Sequence, residues 1–487
     1  MSTILTNLRI RQVRPATAAA FIALTLEACG GGHNNPPPMP TVTISVSPAT
    51  ITVGQSATLT WSSTNAVSCA GSGNGSGSAW TAPQQLMGTA TETPAAAGTV
   101  TYTLTCTGAA GGGGYGGGGA GQTAMGTATL TVNAAPPTAF VVKPLVADGA
   151  GAAATQDTNL VNAWGLVFAP NDPVWTANNH TNTSTLYDGN GAIVPLVVAL
   201  PKALDGTAFE PTGIVAFTAA TQFPNDFKVT AAGQPGQAAF IYSGLGGQIA
   251  GWSPTTQAVS VYAATDKACY RGLAIANNGT ANFLYANDFL GGKIDVFDAT
   301  FSKQSPSAFP FTDPNLPQNY APFGIQAIAN GPGGTTQIYV SYAMSGTGAN
   351  QGTCEDTRGA GYGMIDVFDA NGRLVTELVK TGGKLNAPWG MALAPKDFGT
   401  LSNALLVSNH ADGTINGYDP TNGTWIGTLQ TSAGPFTQPG LWGIAFGNDG
   451  KTTAGVSLNQ PHNTLFFTAG PNEAANGLYG RIDLPAM

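Results

Sequence analysis

The chain has 487 residues, too many for one small core, so two or more domains are expected. Only 9% of the residues are charged and 66 are glycine, a mix that suits many short strands and tight turns rather than long amphipathic helices. The net charge is −8 and the 17 basic residues form no cluster, which excludes a nucleic-acid backbone as the partner.

At the N-terminus, Arg9, Arg11 and Arg14 precede a short apolar run from Ala16 to Leu26. The run is too short to span a bilayer as a helix, and its charged-then-apolar order is that of a secretory signal. It ends in Leu26-Glu27-Ala28-Cys29-Gly30, which resembles the lipobox of bacterial lipoproteins, with Glu27 an unusual member. The resemblance implies that residues 1–28 are removed, that Cys29 carries lipid, and that the chain meets a membrane by that anchor only, at the outer membrane or cell surface. An ordinary signal peptide with an incidental cysteine is the other reading. Residues 29–40 (Cys29, then GGGHNNPPPMP) form a Gly/Pro tether that would hold a domain off a surface.

Residues 41–134 read as a small β-sandwich. Val42–Val46, Ser56–Trp61, Val100–Cys106 and Thr127–Val132 alternate apolar and polar residues, as strands with one wet face require. The Gly-rich run Gly111–Gly121 has no Gly-Lys-Ser/Thr and no strand–turn–helix context, so it reads as a loop between the last two strands rather than a phosphate cradle. Ala57–Cys69 (ATLTWSSTNAVSC) with Thr101–Cys106 (TYTLTC) resembles bacterial surface immunoglobulin-like repeats. That resemblance implies a Cys69–Cys106 disulfide, away from the usual inter-sheet positions, since Trp61 stands where the early-strand cysteine is expected.

Residues 135–487 repeat one pattern six times. Its openings are Trp164-Gly165, Thr212-Gly213, Arg271-Gly272, Phe323-Gly324, Trp389-Gly390 and Trp442-Gly443, each followed by an alternating apolar run, with the glycines 48 to 66 residues apart. A second and a third apolar run follow each opening, and a fourth often follows a turn such as Asn371-Gly372 or Asn422-Gly423. Four antiparallel strands per repeat predict an all-β, six-bladed β-propeller. The sixth repeat ends before a fourth strand, and Phe140–Val146 is expected to supply it by pairing near Gly480–Leu484, which would close the ring. Residues 140–487 also resemble a family of uncharacterised exported bacterial propeller proteins and, more broadly, NHL-type propellers. The resemblance is carried by Asn159–Leu166 (NLVNAWGL), Phe311–Pro322 (FTDPNLPQNYAP), Leu385–Pro395 (LNAPWGMALAP) and Phe467–Gly477 (FTAGPNEAANG). It implies the fold and no activity.

In a propeller the second strands end at the mouth of the channel. That places Asn178, Asn179 and His180, Asn287 and Asp288, and Asn409 and His410 at one face, where Asn178, Asn287 and Asn409 would converge on a ligand or on calcium if the site is real. The competing reading is that these side chains bond their own turns. Asp295/Asp298 and Asp366/Asp369 recur with the repeat and read as turn caps. Trp164, Trp389 and Trp442 read as packing between blades, with a sugar-stacking platform as the lesser alternative. Cys269 precedes the inner strand of the third repeat and Cys354 lies in the insertion Ala343–Tyr362 of the fourth, so the two fall on one face and within reach of a disulfide.

Two functions follow. The first is a lipid-anchored, monomeric extracytoplasmic binding or scaffold protein whose channel mouth takes a protein or glycan. The second is a calcium-dependent extracytoplasmic hydrolase or lactonase. The sequence holds no Gly-x-Ser-x-Gly elbow or other catalytic set that assigns a reaction.

Overall fold

The computed structural model describes residues 37–74, 80, 82–111, 120–135, 138–203, 206–329, 334–346 and 352–485. Cys29 and the signal-like segment lie outside them. The chain is all-β and divides into two units between Ala135 and Pro136. Among the described residues no helix is long and apolar enough to cross a membrane.

The first unit is two sheets around one core. One sheet has the order Thr41–Ser47, Ala57–Thr64, Met87–Glu92; the other runs Thr50–Thr52, Thr123–Asn133, Gly98–Gly108, Ala66–Asn74, Ala82–Gln84. Along Ala57–Thr64 the residues Ala57, Leu59 and Trp61 are buried while Thr58, Thr60 and Ser62 are exposed. Tyr102, Leu104 and Cys106 meet them from the facing sheet. Cys69 and Cys106 are bonded, and they stand directly opposite one another on neighbouring strands of the same sheet, with Cα atoms 4.0 Å apart.

The second unit is propeller-like. Besides two small two-stranded sheets, it has six larger sheets, which begin with the strands Ala163–Phe168, Pro211–Ala216, Tyr270–Asn277, Tyr320–Ala329, Pro388–Leu393 and Leu441–Phe446. Sheets one, two and five have four strands in sequence order, and sheet four has the same four plus the short strand Asp356–Thr357, which pairs with the end of its second strand. Sheet three has three, so the expectation of four strands per repeat fails there: after Lys293–Phe297 the chain makes only an isolated bridge, Phe297 to Lys303. Sheet six gains its outer strand from the start of the unit, where Val141–Ala147 runs antiparallel to Leu478–Asp483.

The repeated glycine is where neighbouring first strands touch. A Cβ on Gly165 would stand 2.8 Å from the carbonyl oxygen of Thr212, on Gly213 2.3 Å from the amide of Leu273, and on Gly324 2.0 Å from the carbonyl oxygen of Trp389. On Gly390 it would meet the carbonyl of Trp442 at 2.7 Å, and on Gly443 that of Trp164 at 2.7 Å, which brings the series back to its start. The ladder carries one extra residue at this place in every sheet, a bulge that turns the strand toward its neighbour. First-strand residues of all six sheets line one central void of about 30 Å³.

A hydrogen bond latches each sheet to the next. Asn179 Nδ2 donates to the Pro211 carbonyl (3.3 Å), Thr212 Oγ1 to that of Tyr270 (2.7 Å), and Asn287 Nδ2 to that of Pro322 (3.2 Å). Ser341 Oγ donates to Pro388 (2.6 Å), Ser408 Oγ to Trp442 (2.6 Å), and Thr468 Oγ1 to Trp164 (2.5 Å). Outside these latches, each adjacent pair of sheets encloses its own apolar cluster, for example Ile249, Leu284 and Phe297 between sheets two and three, or Val146, Tyr187 and Phe466 between six and one.

Candidate functional site at the channel mouth

The starts of the first strands and the ends of the second strands open on a cavity of about 670 Å³. At its floor is an aromatic stack. Trp442 lies between Trp164 (centroids 3.7 Å apart) and the His410 ring (3.6 Å), and the edge of Trp389 meets Trp442 at 5.7 Å. Two of the indoles are anchored by their own donors: Trp389 Nε1 bonds the carbonyl of Arg271 at 2.9 Å and Trp442 Nε1 bonds Asn162 Oδ1 at 3.2 Å, while Trp164 Nε1 has no hydrogen-bond partner among the described residues. Asn162 in turn donates to Asn179.

Arg271 enters this aromatic floor. Its guanidinium carbon lies 5.2 Å from the Trp164 ring centroid, 5.4 Å from Phe289 and 4.9 Å from Phe323, and only 3% of the residue is exposed. Burial lowers its pKa, opposed by Asp356 and Glu355; arginine retains its charge in such surroundings. Nη2 donates to the carbonyl of Cys354. That carbonyl is held by the Cys269–Cys354 disulfide, whose Cα atoms are 6.1 Å apart. The bridge thereby fixes the segment carrying Glu355, Asp356 and Arg358 above Arg271.

His410 is held neutral: burial pushes its pKa down to about 4, against the pull of Asp356. Its Nδ1 faces the Leu441 carbonyl (3.3 Å) and its Nε2 faces Arg358 Nη2 (3.2 Å). The tautomer protonated on Nδ1 satisfies both, donating to the carbonyl and accepting from the guanidinium. Arg358 Nε also lies 3.4 Å from Asp356 Oδ2. Glu210, Glu355, Asp356 and Glu473 give the lining four carboxylates beside its two arginines.

Of the residues expected at the mouth, Asn179, His180 and His410 line the cavity. The other four are turned into their own sheets or toward the adjacent one. Asn178 bonds Thr185 (2.9 Å) and accepts from Thr176 (3.0 Å). Asn287 makes the latch to Pro322, and Asp288 accepts the amides of Cys269 (2.8 Å) and Gly291 (2.9 Å). Asn409 donates to the Lys384 carbonyl at 2.8 Å. None of the three asparagines lines the cavity: the amide of Asn178 bonds neighbouring threonine hydroxyls, and those of Asn287 and Asn409 bond backbone carbonyls. Among the described residues no group of three or more His, Cys, Asp or Glu side chains is placed to hold a metal ion. His462 sits away from the mouth, between Asp449 (2.8 Å) and Asp397 (3.1 Å).

Sequence reasoning missed Arg271 and Arg358. Arg271 carried a signal: it alone puts a charge at a position filled by Trp, Thr or Phe in the other five repeats. Asn162 and Glu473 lie inside stretches that carry the family resemblance.

No family model matches the chain. Among solved structures, similarity is one of outline. A protein of unknown function from Bacteroides thetaiotaomicron aligns with a TM-score of 0.43 at 10% identity, covering 91% of this chain and 98% of that one. Streptogramin B lyase aligns at 0.36 and 12% identity, covering 71% and 98%. The Dos1 propeller aligns at 0.33 and 10% identity, covering 67% and 70%. Sequence relatives are viral, where the resemblance of the repeats pointed to bacterial proteins. The uncharacterised protein L690 of Acanthamoeba polyphaga mimivirus is 29% identical over 345 residues, covering 68% of this chain and 82% of its own length. The uncharacterised protein R648 of the same virus is 30% identical over 362 residues, covering 71% of this chain and 80% of its own length, and this chain belongs to the family of R648.

Proposed function

We propose that this chain is an exported binding protein whose propeller mouth takes a glycan or a polar group on a macromolecule. In this reading residues 1–28 are a signal peptide, Cys29 bears lipid, residues 29–40 are a tether, residues 41–134 an immunoglobulin-like stalk, and residues 135–487 a six-bladed propeller acting as a monomer. Closure of the glycine contacts and latches back onto Trp164 supports six blades. The two sheet orders of the first unit support the immunoglobulin-like assignment. Two disulfides fit an oxidising compartment.

The observation that carries the binding reading is the mixed lining of the mouth cavity. Four carboxylates and two guanidinium groups line about 670 Å³, space for a one- or two-ring ligand. A hydroxyl both donates and accepts, so a polyol matches such a lining. The aromatic floor is packed against itself rather than offered as a platform, since Trp442 has a ring on each face. A calcium-dependent hydrolase gains no support from the asparagines at the strand ends, whose amides bond backbone and neighbouring side chains.

A glycan array probed with the full chain tests this reading. Binding to a defined set of glycans is expected, and Arg358→Ala with His180→Ala, both exposed positions, should weaken it about 10-fold or more. Glycan binding unchanged in that double variant would remove the mouth from consideration.

A further inference from the structure

We infer that the mouth cavity takes a hydroxylated monocarboxylate, such as a uronic acid, with the carboxylate on Arg271. The inference rests on the binding reading above and names the ligand class for the same cavity. It starts from an imbalance. A guanidinium has five N–H donors. Among the described residues Arg271 makes one hydrogen bond, to the Cys354 carbonyl, and its Nε has no acceptor at all. A charge buried this far is costly unless it is paired and hydrogen-bonded. The three surrounding rings offset part of that cost through their π faces, and they also hold the planar group in place. They accept no conventional N–H···O bond. A carboxylate reaching Arg271 from the cavity supplies what the protein does not: a charge-matched, two-oxygen acceptor.

The rest of the lining decides which anion. Asp356, whose charge acts on Arg271, also lies 3.4 Å from Arg358 Nε and makes no hydrogen bond to Arg271 among the described residues. His410 is neutral near pH 7 and adds no positive charge. Glu210, Glu355, Asp356 and Glu473 surround the same space. Four carboxylates repel a phosphate dianion strongly and a monoanion less, while each accepts hydrogen bonds from hydroxyl groups. A ligand with one carboxylate and several hydroxyls satisfies both parts of the site. Both faces of Trp442 are occupied, so polar bonds rather than ring stacking hold such a ligand.

Calorimetry on the full chain with D-glucuronate, D-glucuronamide, D-glucose and inorganic phosphate tests the assignment. Glucuronate should bind about 10-fold or more tightly than its uncharged amide, and added salt should weaken it. Arg271→Gln should abolish the preference for the acid. Arg271 is buried, so a second variant, Glu355→Gln with Glu473→Gln, tests the same site at exposed positions only. That double variant should bind glucuronate more tightly than the parent and gain measurable phosphate binding. Equal binding of glucuronate, its amide and glucose overturns the carboxylate assignment and leaves a neutral glycan site standing. Phosphate binding more tightly than glucuronate to the parent overturns the monocarboxylate, and no heat with millimolar glucuronate overturns the inference while the glycan array still reports on the mouth.

Discussion

Asp295 and Asp366 hold the same place in neighbouring sheets and live in opposite surroundings. Asp295 accepts the Tyr270 hydroxyl at 2.7 Å and pairs with Lys303 at 2.7 Å. Asp366 is fully buried, and neither of its oxygens has a hydrogen-bond partner among the described residues. The turn-capping expected of both pairs belongs to Asp298 and Asp369, which accept amides two and four residues on. Burial first, then Asp313 and Glu377, pushes the Asp366 carboxyl up to about 7, with the nearby Tyr342 hydroxyl opposing. A native pKa above the ordinary value of 3.8 means the folded state holds the extra proton between the two. The associated stability is therefore full below about pH 4 and falls as pH rises through about 7. Asp366→Asn keeps the shape and removes the charge. The variant should melt higher than the parent at pH 8, by on the order of a few degrees, and show a flatter dependence between pH 5 and pH 8. Thermal unfolding across that range checks it; a parent-like slope in the variant would mean that Asp366 is not the group responsible.

Among the elements, the strand Val141–Ala147 has the largest consequence. It pairs with Leu478–Asp483 and buries Leu145, Val146 and Ala147, while Phe140 packs on Phe398 with centroids 4.7 Å apart. Burial of residues such as Leu145 and Val146 contributes about 1.5–3 kcal/mol each, and removing the strand also leaves an unpaired edge. Deleting residues 136–148 should lower the melting temperature of the whole second unit. A deletion variant that melts with the parent would show that the ring does not depend on this strand. The strand was legible in the sequence because the sixth repeat stops short and an orphan apolar run precedes the first. The six openings were legible for a similar reason: a glycine followed by an alternating apolar run is a local pattern, and at five of the six a Cβ would run into the backbone of the next sheet. The latches were not legible. Asn, Thr and Ser share the task, two of each, and Thr212 acts from a first strand and Asn179 from just past its second strand while the other four sit on second strands, so no single residue marks the latch along the chain. Asn287 consequently read as a site residue when its amide joins sheet three to sheet four. Arg271 and Arg358 come from different sheets and meet at the mouth only after folding, which no linear spacing reveals.

For the molecule as a whole, the chemistry of the folded units and that of the N-terminus point the same way. Two disulfides fit an oxidising compartment, and a net charge of −8 disfavours attachment to anionic lipid by electrostatics. In the proposed reading, membrane attachment rests on the segment around Cys29. The apolar run Ala16–Leu26 is about half the ~20 residues a spanning helix needs, so in that reading it is a transient signal and the anchor is lipid. Lipid on Cys29 would supply about 0.8 kcal/mol per buried methylene, enough for stable attachment when more than one acyl chain is present. Cys29→Ala should then move the protein from the membrane fraction to the soluble one in cells expressing the full chain. Mass spectrometry of the parent should find residues 1–28 absent and a lipid adduct on Cys29. Membrane association that survives the substitution, together with an intact N-terminus in the parent, would show that the segment is neither cleaved nor the anchor.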